Sequence, residues 1–188
     1  MTGQPAVFLD RDGVLNEVRM DGDIASTPRS VAELQIYPDA RSELERLRKA
    51  GYALIVVSNQ PDVARGTLSG SALESINQAL CQALPIDAVY VCPHDTRDGC
   101  DCRKPKPGLI LRGALDWRID LSRSFLIGDR WVDLVAAAAA GIPGILLQRP
   151  WSWEPTSLGD PPEGLQPAFA GENLGECVDR VLVARTRG

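Results

Sequence analysis

The octapeptide Ala6-Val-Phe-Leu-Asp-Arg-Asp-Gly13 governs how the rest of the chain is read. Its first half, Ala6 to Leu9, is an apolar run without polar alternation, the pattern of a strand buried on both faces of a parallel sheet. Its second half sets Asp10 and Asp12 at the end of that strand. Residues two apart in an extended chain point the same way, and Gly13 lets the backbone turn and approach a ligand closely. Two neighbouring carboxylates repel each other unless a cation or a shared proton relieves them. Taken alone, D-x-D-G is also an ordinary surface turn, and carboxylates at a strand end are usually just solvated.

The same texture recurs along the chain. ALIVV (Ala53 to Val57), AVYV (Ala88 to Val91), FLI (Phe125 to Ile127) and GILL (Gly144 to Leu147) predict four more buried strands. Between them, helical spacing joins Ala40, Leu44 and Leu47, then Leu73, Ile76, Leu80 and Leu84, then Ile110, Ala114 and Trp117, and an alanine-rich run precedes Gly141. Strands alternating with helices predict an α/β fold, a doubly wound (Rossmann-like) parallel sheet of about five strands. Its core spans 5–148, with no large cap between Gly13 and Asp39. From Arg149 the composition changes: Pro150, Pro155, Pro161, Pro162 and Pro167, with Trp151 and Trp153, predict a proline-rich tail over 149–172 that wraps back over the domain as loop. Leu174, Val178, Val181 and Leu182 then predict a terminal helix. At 188 residues and 44% hydrophobic, the chain fits one domain, 1–188, with a core of its own.

Asp and Glu number 25 against 20 Lys and Arg, a net charge of −5. That argues against sequence-independent nucleic-acid binding, which needs excess cations facing phosphates, yet leaves room for a local basic pocket. No stretch approaches the roughly 18 apolar residues of a membrane helix, and the N-terminal residues lack a basic start followed by an apolar run. The expectation is a cytoplasmic monomer with neither nucleic acid nor membrane as partner.

Ligands of open α/β sheets gather beyond the carboxyl ends of the strands, and polar residues stand there. The second strand ends in Ser58-Asn59-Gln60, the fourth in Gly128-Asp129-Arg130 with Asp133 a helical turn on, and Lys104 lies between them. Carboxylates, a hydroxyl, an amide and a lysine on one rim suit phosphoryl transfer. Mg²⁺ prefers hard oxygen ligands, which Asp10 and Asp129 can supply. Asp10 can attack phosphorus and form an aspartyl-phosphate. Lys104 and Ser58 can stabilise charge on the transferring group, and Asp12 can protonate the leaving oxygen and then activate water. The one histidine, His94, lies among cysteines, which disfavours a Ser-His-Asp arrangement, and there is no G-x-x-x-x-G-K-[ST] loop.

VFLDRDGVLN (7–16), Ser58, Lys104 and GDRWVD (128–133), in that order, resemble the four motifs of the haloacid dehalogenase-like phosphatase superfamily. The resemblance implies Asp10 as nucleophile, Asp12 as acid and base, and Mg²⁺ held by Asp10, the Asp12 carbonyl and Asp129. Within that superfamily, VSNQPDVARG (57–66) and CDCRKPKPG (100–108) are similar to the capless, zinc-loop heptose 1,7-bisphosphate phosphatases, with histidinol-phosphate phosphatases as near relatives. Pro61-Asp62 stands where the heptose enzymes often carry Ser-Gly. The expected substrate is a small phosphorylated sugar, and the resemblance implies removal of the 7-phosphate of a D-glycero-D-manno-heptose 1,7-bisphosphate. The rival readings are histidinol-phosphate hydrolysis, a zinc hydrolase, and a zinc-clipped binding module without catalysis.

Cys92, His94, Cys100 and Cys102 form a Cys₃His set in an eleven-residue window. Thiolates and imidazole are the ligands Zn²⁺ prefers, and four protein ligands close its tetrahedron, so zinc in the loop 92–102 is expected to be structural. It would hold Arg103 and Lys104 in place. Cys81 and Cys177 are read as small core residues. The other candidates for substrate contact are Arg65, Arg130 and Gln60, with Asn16 and Asn59 as partners of substrate hydroxyls or caps of local turns. By resemblance Arg103 touches a distal substrate group, whereas Lys106 is read as charge compensation for the thiolates. Trp131, Trp151 and Trp153 are expected to pack in the core or the tail.

Overall fold

β1 (Ala6–Leu9) has no solvent face. Val7 and Leu9 enter one core with Leu44, Leu47 and Val178; Ala6 and Phe8 enter a second with Ile55, Ile110 and Ala136. Side chains alternate across a strand, so a run that is apolar throughout divides between two layers. In the computed structural model residues 3–21 and 24–185 are described; residues 1–2, 22–23 and 186–188 of the expected domain lie outside the described residues.

β1 lies between β4 (Ala53–Asn59) and β6 (Phe125–Gly128) in a parallel sheet that continues through β5 (Ala88–Cys92) on one side and β7 (Gly144–Leu147) on the other. The five expected strands are all present, but the sheet has six. β8 (Phe169–Gly171) pairs in parallel with β7, Ile145 opposite Phe169 and Leu147 opposite Gly171. Three residues inside a proline-rich stretch carry no periodicity, so only the exposed flank of β7 specifies this strand. A further antiparallel pair, β2 (Arg19–Asp21) and β3 (Ile24–Ser26), was not expected either.

The helices α1 (Ala40–Lys49) and α5 (Leu174–Arg185) cover the first core, and α3 (Gly108–Trp117) and α4 (Trp131–Ala139) cover the second. α2 (Gly70–Ala83) begins at Ser69, whose Oγ accepts from Ala72 N–H at 3.1 Å, an N-cap, and sends Leu80 into the first core. Between Gly13 and Asp39 the described residues hold only the β2–β3 pair and a 3₁₀ turn, Val31–Glu33. Among the described residues no helix is long and apolar enough to cross a membrane.

Candidate active site

The register of the central strands builds the rim. Leu9 pairs with Val56 on one side and Ile127 on the other, so the carboxyl-terminal ends of three parallel strands lie side by side, β4 running on to Asn59. Asp10, Ser58 and Asp129 stand one or two residues beyond. The Asp10 N–H donates to Ile127 O at 2.9 Å, extending the ladder by one rung. The chain then turns at Gly13, where φ is +83°. A Cβ on Gly13 would stand 2.2 Å from Asp129 Oδ2, so this position requires glycine for both its backbone and its space.

Lys104 reaches this rim from the far side of the cysteine loop. Its ammonium donates to Asp10 Oδ1 at 2.7 Å and Val57 O at 2.9 Å, and ion-pairs with Asp133 Oδ1 at 2.6 Å. Asn59 fixes the Lys104 backbone on both edges: its Oδ1 accepts from Lys104 N–H and its Nδ2 donates to Lys104 O, each at 3.0 Å. One carboxylate oxygen each from Asp10, Asp129 and Asp133 lies within 4.8 Å of the others.

Charge in this cluster does not balance. Among the described residues Asp10, Asp12, Asp129 and Asp133 are buried with only Arg11 and Lys104 as buried cations, which leaves two negative charges over when all four carboxylates are ionised. Burial pushes Asp10 up to about 6, with Lys104 opposing and Asp133 and Asp12 adding to the rise. Asp129 rises well above its ordinary value through burial and the charges of Asp10 and Asp133. Burial works to lower Lys104, but the charges of Asp10 and Asp133 outweigh it and keep the ammonium firmly protonated. Hard oxygen donors with an excess charge of two fit a divalent cation such as Mg²⁺.

Asp12 is held differently. Arg11, fully buried, donates from Nε and Nη2 to its oxygens at 3.0–3.2 Å. Asn16 Nδ2 donates to Oδ1 at 3.0 Å and Gln60 Nε2 to Oδ2 at 2.6 Å. The structure therefore corrects two of the expected substrate contacts. Asn16 and Gln60 are both 0% exposed and orient Asp12 instead of facing the cleft. Gln60 also donates to Ser58 Oγ at 2.8 Å, so Ser58, 1% exposed, lies under the rim. Arg11 was not among the expected site residues. An arginine next to an aspartate in a strand would normally point away from it, but the turn after Leu9 lets it fold back.

Asn59, Arg65, Arg103 and Arg130 line a cleft of about 270 Å³ together with Asp10, Asp12, Lys104 and Asp129. Arg65 is tied to Asp95 at 2.6 Å and Asp62 at 3.6 Å. Arg103 Nη1 donates to His94 O at 3.2 Å, while its buried Nε has no partner. Lys106 spans the base of the cysteine loop, donating to Gly99 O, Cys100 O and Asp101.

The four donors of that loop meet. Cys92 Sγ lies 3.6 Å from His94 Nδ1 and from Cys100 Sγ; Cys102 Sγ lies 3.2, 3.3 and 3.5 Å from Cys92, His94 and Cys100. A tetrahedral ion with metal–sulfur bonds of about 2.3 Å has sulfur–sulfur edges of roughly 3.8 Å, so the donor set fits Zn²⁺ after slight expansion. Burial holds the Cys92 thiol up. Burial also acts to raise Cys100, but bonds from the Arg103 backbone and the neighbouring cysteines outweigh it and bring it down to about 7.

The tail contributes residues that sequence reasoning assigned to packing. Trp151 is buried as expected, but it also lines the cleft and its Nε1 donates to Asp129 Oδ2. Thr156 and Leu158 form the same wall, and Ser157 Oγ meets Thr96 Oγ1 at 2.8 Å, joining the tail to the cysteine loop. Arg149 Nε donates to Gly13 O at 2.9 Å. No local signal marks these contacts, because each depends on where the segment after β7 returns.

A family model described as haloacid dehalogenase-like hydrolase matches residues 10–141. The D-glycero-beta-D-manno-heptose-1,7-bisphosphate 7-phosphatase of Rhodopseudomonas palustris is 39% identical, over 75% of this chain and 82% of that protein. The protein of the same name from Vibrio cholerae is 35% identical, over 78% and 82%. The crystal structure of a D,D-heptose 1,7-bisphosphate phosphatase from B. bronchiseptica, complexed with magnesium and phosphate, superposes with a TM-score of 0.79 at 32% identity, over 96% of this chain and 99% of that one.

Proposed function

The chain belongs to the haloacid dehalogenase-like hydrolase family, and from that membership and its cleft we propose a magnesium-dependent phosphatase that removes the 7-phosphate of a D-glycero-D-manno-heptose 1,7-bisphosphate. The observation that carries the reaction is the Asp10–Lys104–Asp133 cluster at the end of the central strand, with Asp129 beside it. The relatives bearing the heptose phosphatase name support the substrate.

Asp10 attacks phosphorus; its oxygen–phosphorus bond forms as the bond from phosphorus to the sugar oxygen breaks. Asp12, oriented by Arg11, Asn16 and Gln60, gives a proton to the leaving oxygen. It then takes one from the water that hydrolyses the aspartyl-phosphate, releasing phosphate and restoring Asp10. Lys104 faces the transferring group with its charge fixed by Asp133, and needs no reorganisation as negative charge develops. Asp10, Asp129 and the Asp12 carbonyl would hold Mg²⁺, which when bound neutralises charge on the phosphoryl oxygens. Cys92, His94, Cys100 and Cys102 would hold Zn²⁺ with no position left open for substrate, and the ion would order the loop that delivers Arg103 and Lys104.

Arg103 and Arg130, together with Arg65 held by Asp95 and Asp62, form a basic wall of the cleft. It favours a substrate with a second phosphate over one with an ammonium, such as histidinol phosphate. A panel of sugar phosphates and histidinol phosphate with Mg²⁺, scored by released phosphate, tests this. The heptose bisphosphate is expected to exceed histidinol phosphate in kcat/KM by at least about tenfold; the reverse order overturns the substrate.

A further inference from the structure

Trp151 stands on the tail at 6% exposure, and none of the chemical steps above requires an indole there. Its Nε1–H donates to Asp129 Oδ2 at 2.5 Å. Gly13 also packs against that oxygen, where a Cβ would stand 2.2 Å away. The backbone of Asp129 is pinned as well: its carbonyl accepts from Ser152 Oγ at 2.6 Å, and that hydroxyl also accepts from Arg149 N–H at 2.9 Å. Asp129 Oδ1 takes no hydrogen bond among the described residues. One oxygen is thus engaged by the tail and one is left over, on a carboxylate that shares a 4.8 Å cluster with Asp10 and Asp133.

We propose that Trp151 is a positioning residue for cation binding: its indole N–H occupies Asp129 Oδ2 and leaves Oδ1 as the single oxygen offered to Mg²⁺. The inference rests on the magnesium reading of the cleft. Indole suits the task because it donates and cannot accept, so it neither competes for the ion nor repels it as a lysine or arginine would. A carboxylate already locked in one rotamer also loses less freedom when the ion arrives. Partners of this kind, one shell out from the ion, set metal affinity as the ligands themselves do.

Trp151→Phe keeps a ring in the wall and removes the donor. Its control is Trp131→Phe, which removes the Nε1 bond to Glu154 O at 3.0 Å, a contact that also fastens the tail but does not touch Asp129. Binding is measured without turnover, by calorimetric titration of the purified protein with Mg²⁺ and by electron paramagnetic resonance with Mn²⁺. Trp151→Phe is expected to weaken binding by about tenfold or more, with Trp131→Phe binding as the parent does and the metal-free variants melting alike. Equal affinity in the parent and Trp151→Phe overturns the inference. So does an equal loss in Trp131→Phe, which would assign the effect to order in the tail as a whole. A parent protein that binds no Mg²⁺ removes the magnesium reading itself, a separate result. A measurement on the parent needs no variant to fold: with ¹⁵N-labelled tryptophan, one of the four indole N–H resonances should shift on adding Mg²⁺, and four unresponsive indoles overturn the proposal.

Discussion

Asp10→Asn is expected to yield a folded protein whose turnover falls by at least about a thousandfold, the scale on which a lost nucleophile is felt. The amide is nearly the same size but does not attack phosphorus. The fold should tolerate it because burial already disfavours the charge on Asp10, pushing its carboxyl up to about 6. Lys104 retains Asp133 and Val57 O when Asp10 is neutralised. Thermal melting in magnesium-free buffer should therefore give a midpoint equal to or above that of the parent, while phosphate release nearly stops. Turnover close to the parent's would show that another group attacks and would end the covalent reading. It would also bear on the zinc-clipped binding module, whose Asp10 has no chemical task to lose.

The second large effect is expected from the cysteine loop. Cys102→Ser, or removal of zinc by a strong chelator, takes one vertex or the whole ion from a site whose binding free energy is folding free energy. Lys104 follows Cys102 by two residues, so the loop's disorder reaches the ammonium that faces Asp10. A loss of about 3 kcal/mol, modest for a structural zinc, would lower the melting midpoint by roughly 6–12 °C in a chain of this length. Activity should fall with it, as Lys104 loses its fixed place. Metal content by elemental analysis should drop by one zinc per chain. A chelated protein that keeps its stability and its ordered loop but loses turnover would instead identify the zinc as the reacting metal.

The gathering of carboxylates was legible because parallel strands bring their carboxyl ends to one edge. Once AVFL, ALIVV and FLI were read as buried strands, Asp10 and Asp129 had to share a rim, and they do, with Ser58 just beneath it. Lys104 was legible through its neighbours, since four soft donors just before it announce a built loop. What remained hidden depended on contacts distant in sequence or on turns without periodicity. β8 is three residues long and takes its identity from the flank of β7. Asn16 and Gln60 look like substrate contacts because they are polar and sit at the rim, but polarity does not reveal whether an amide faces solvent or a neighbour's carboxylate. Arg11 was hidden by the expectation that adjacent strand residues diverge, which fails where the strand stops. Trp151 meets Asp129 only because the chain returns after β7.

The Lys104 ammonium has three partners: it donates to Asp10 Oδ1 and Val57 O and ion-pairs with Asp133 Oδ1. A tetrahedral head brings three protons to three close partners. A guanidinium carries the same charge but is flat and broader, and its donors fan out in one plane. Equal charge is therefore not equivalence at this position: a broader, flat head has to be fitted among the same three partners at a place only 2% exposed. Shape, as much as sign, decides which cation can stand beside Asp10.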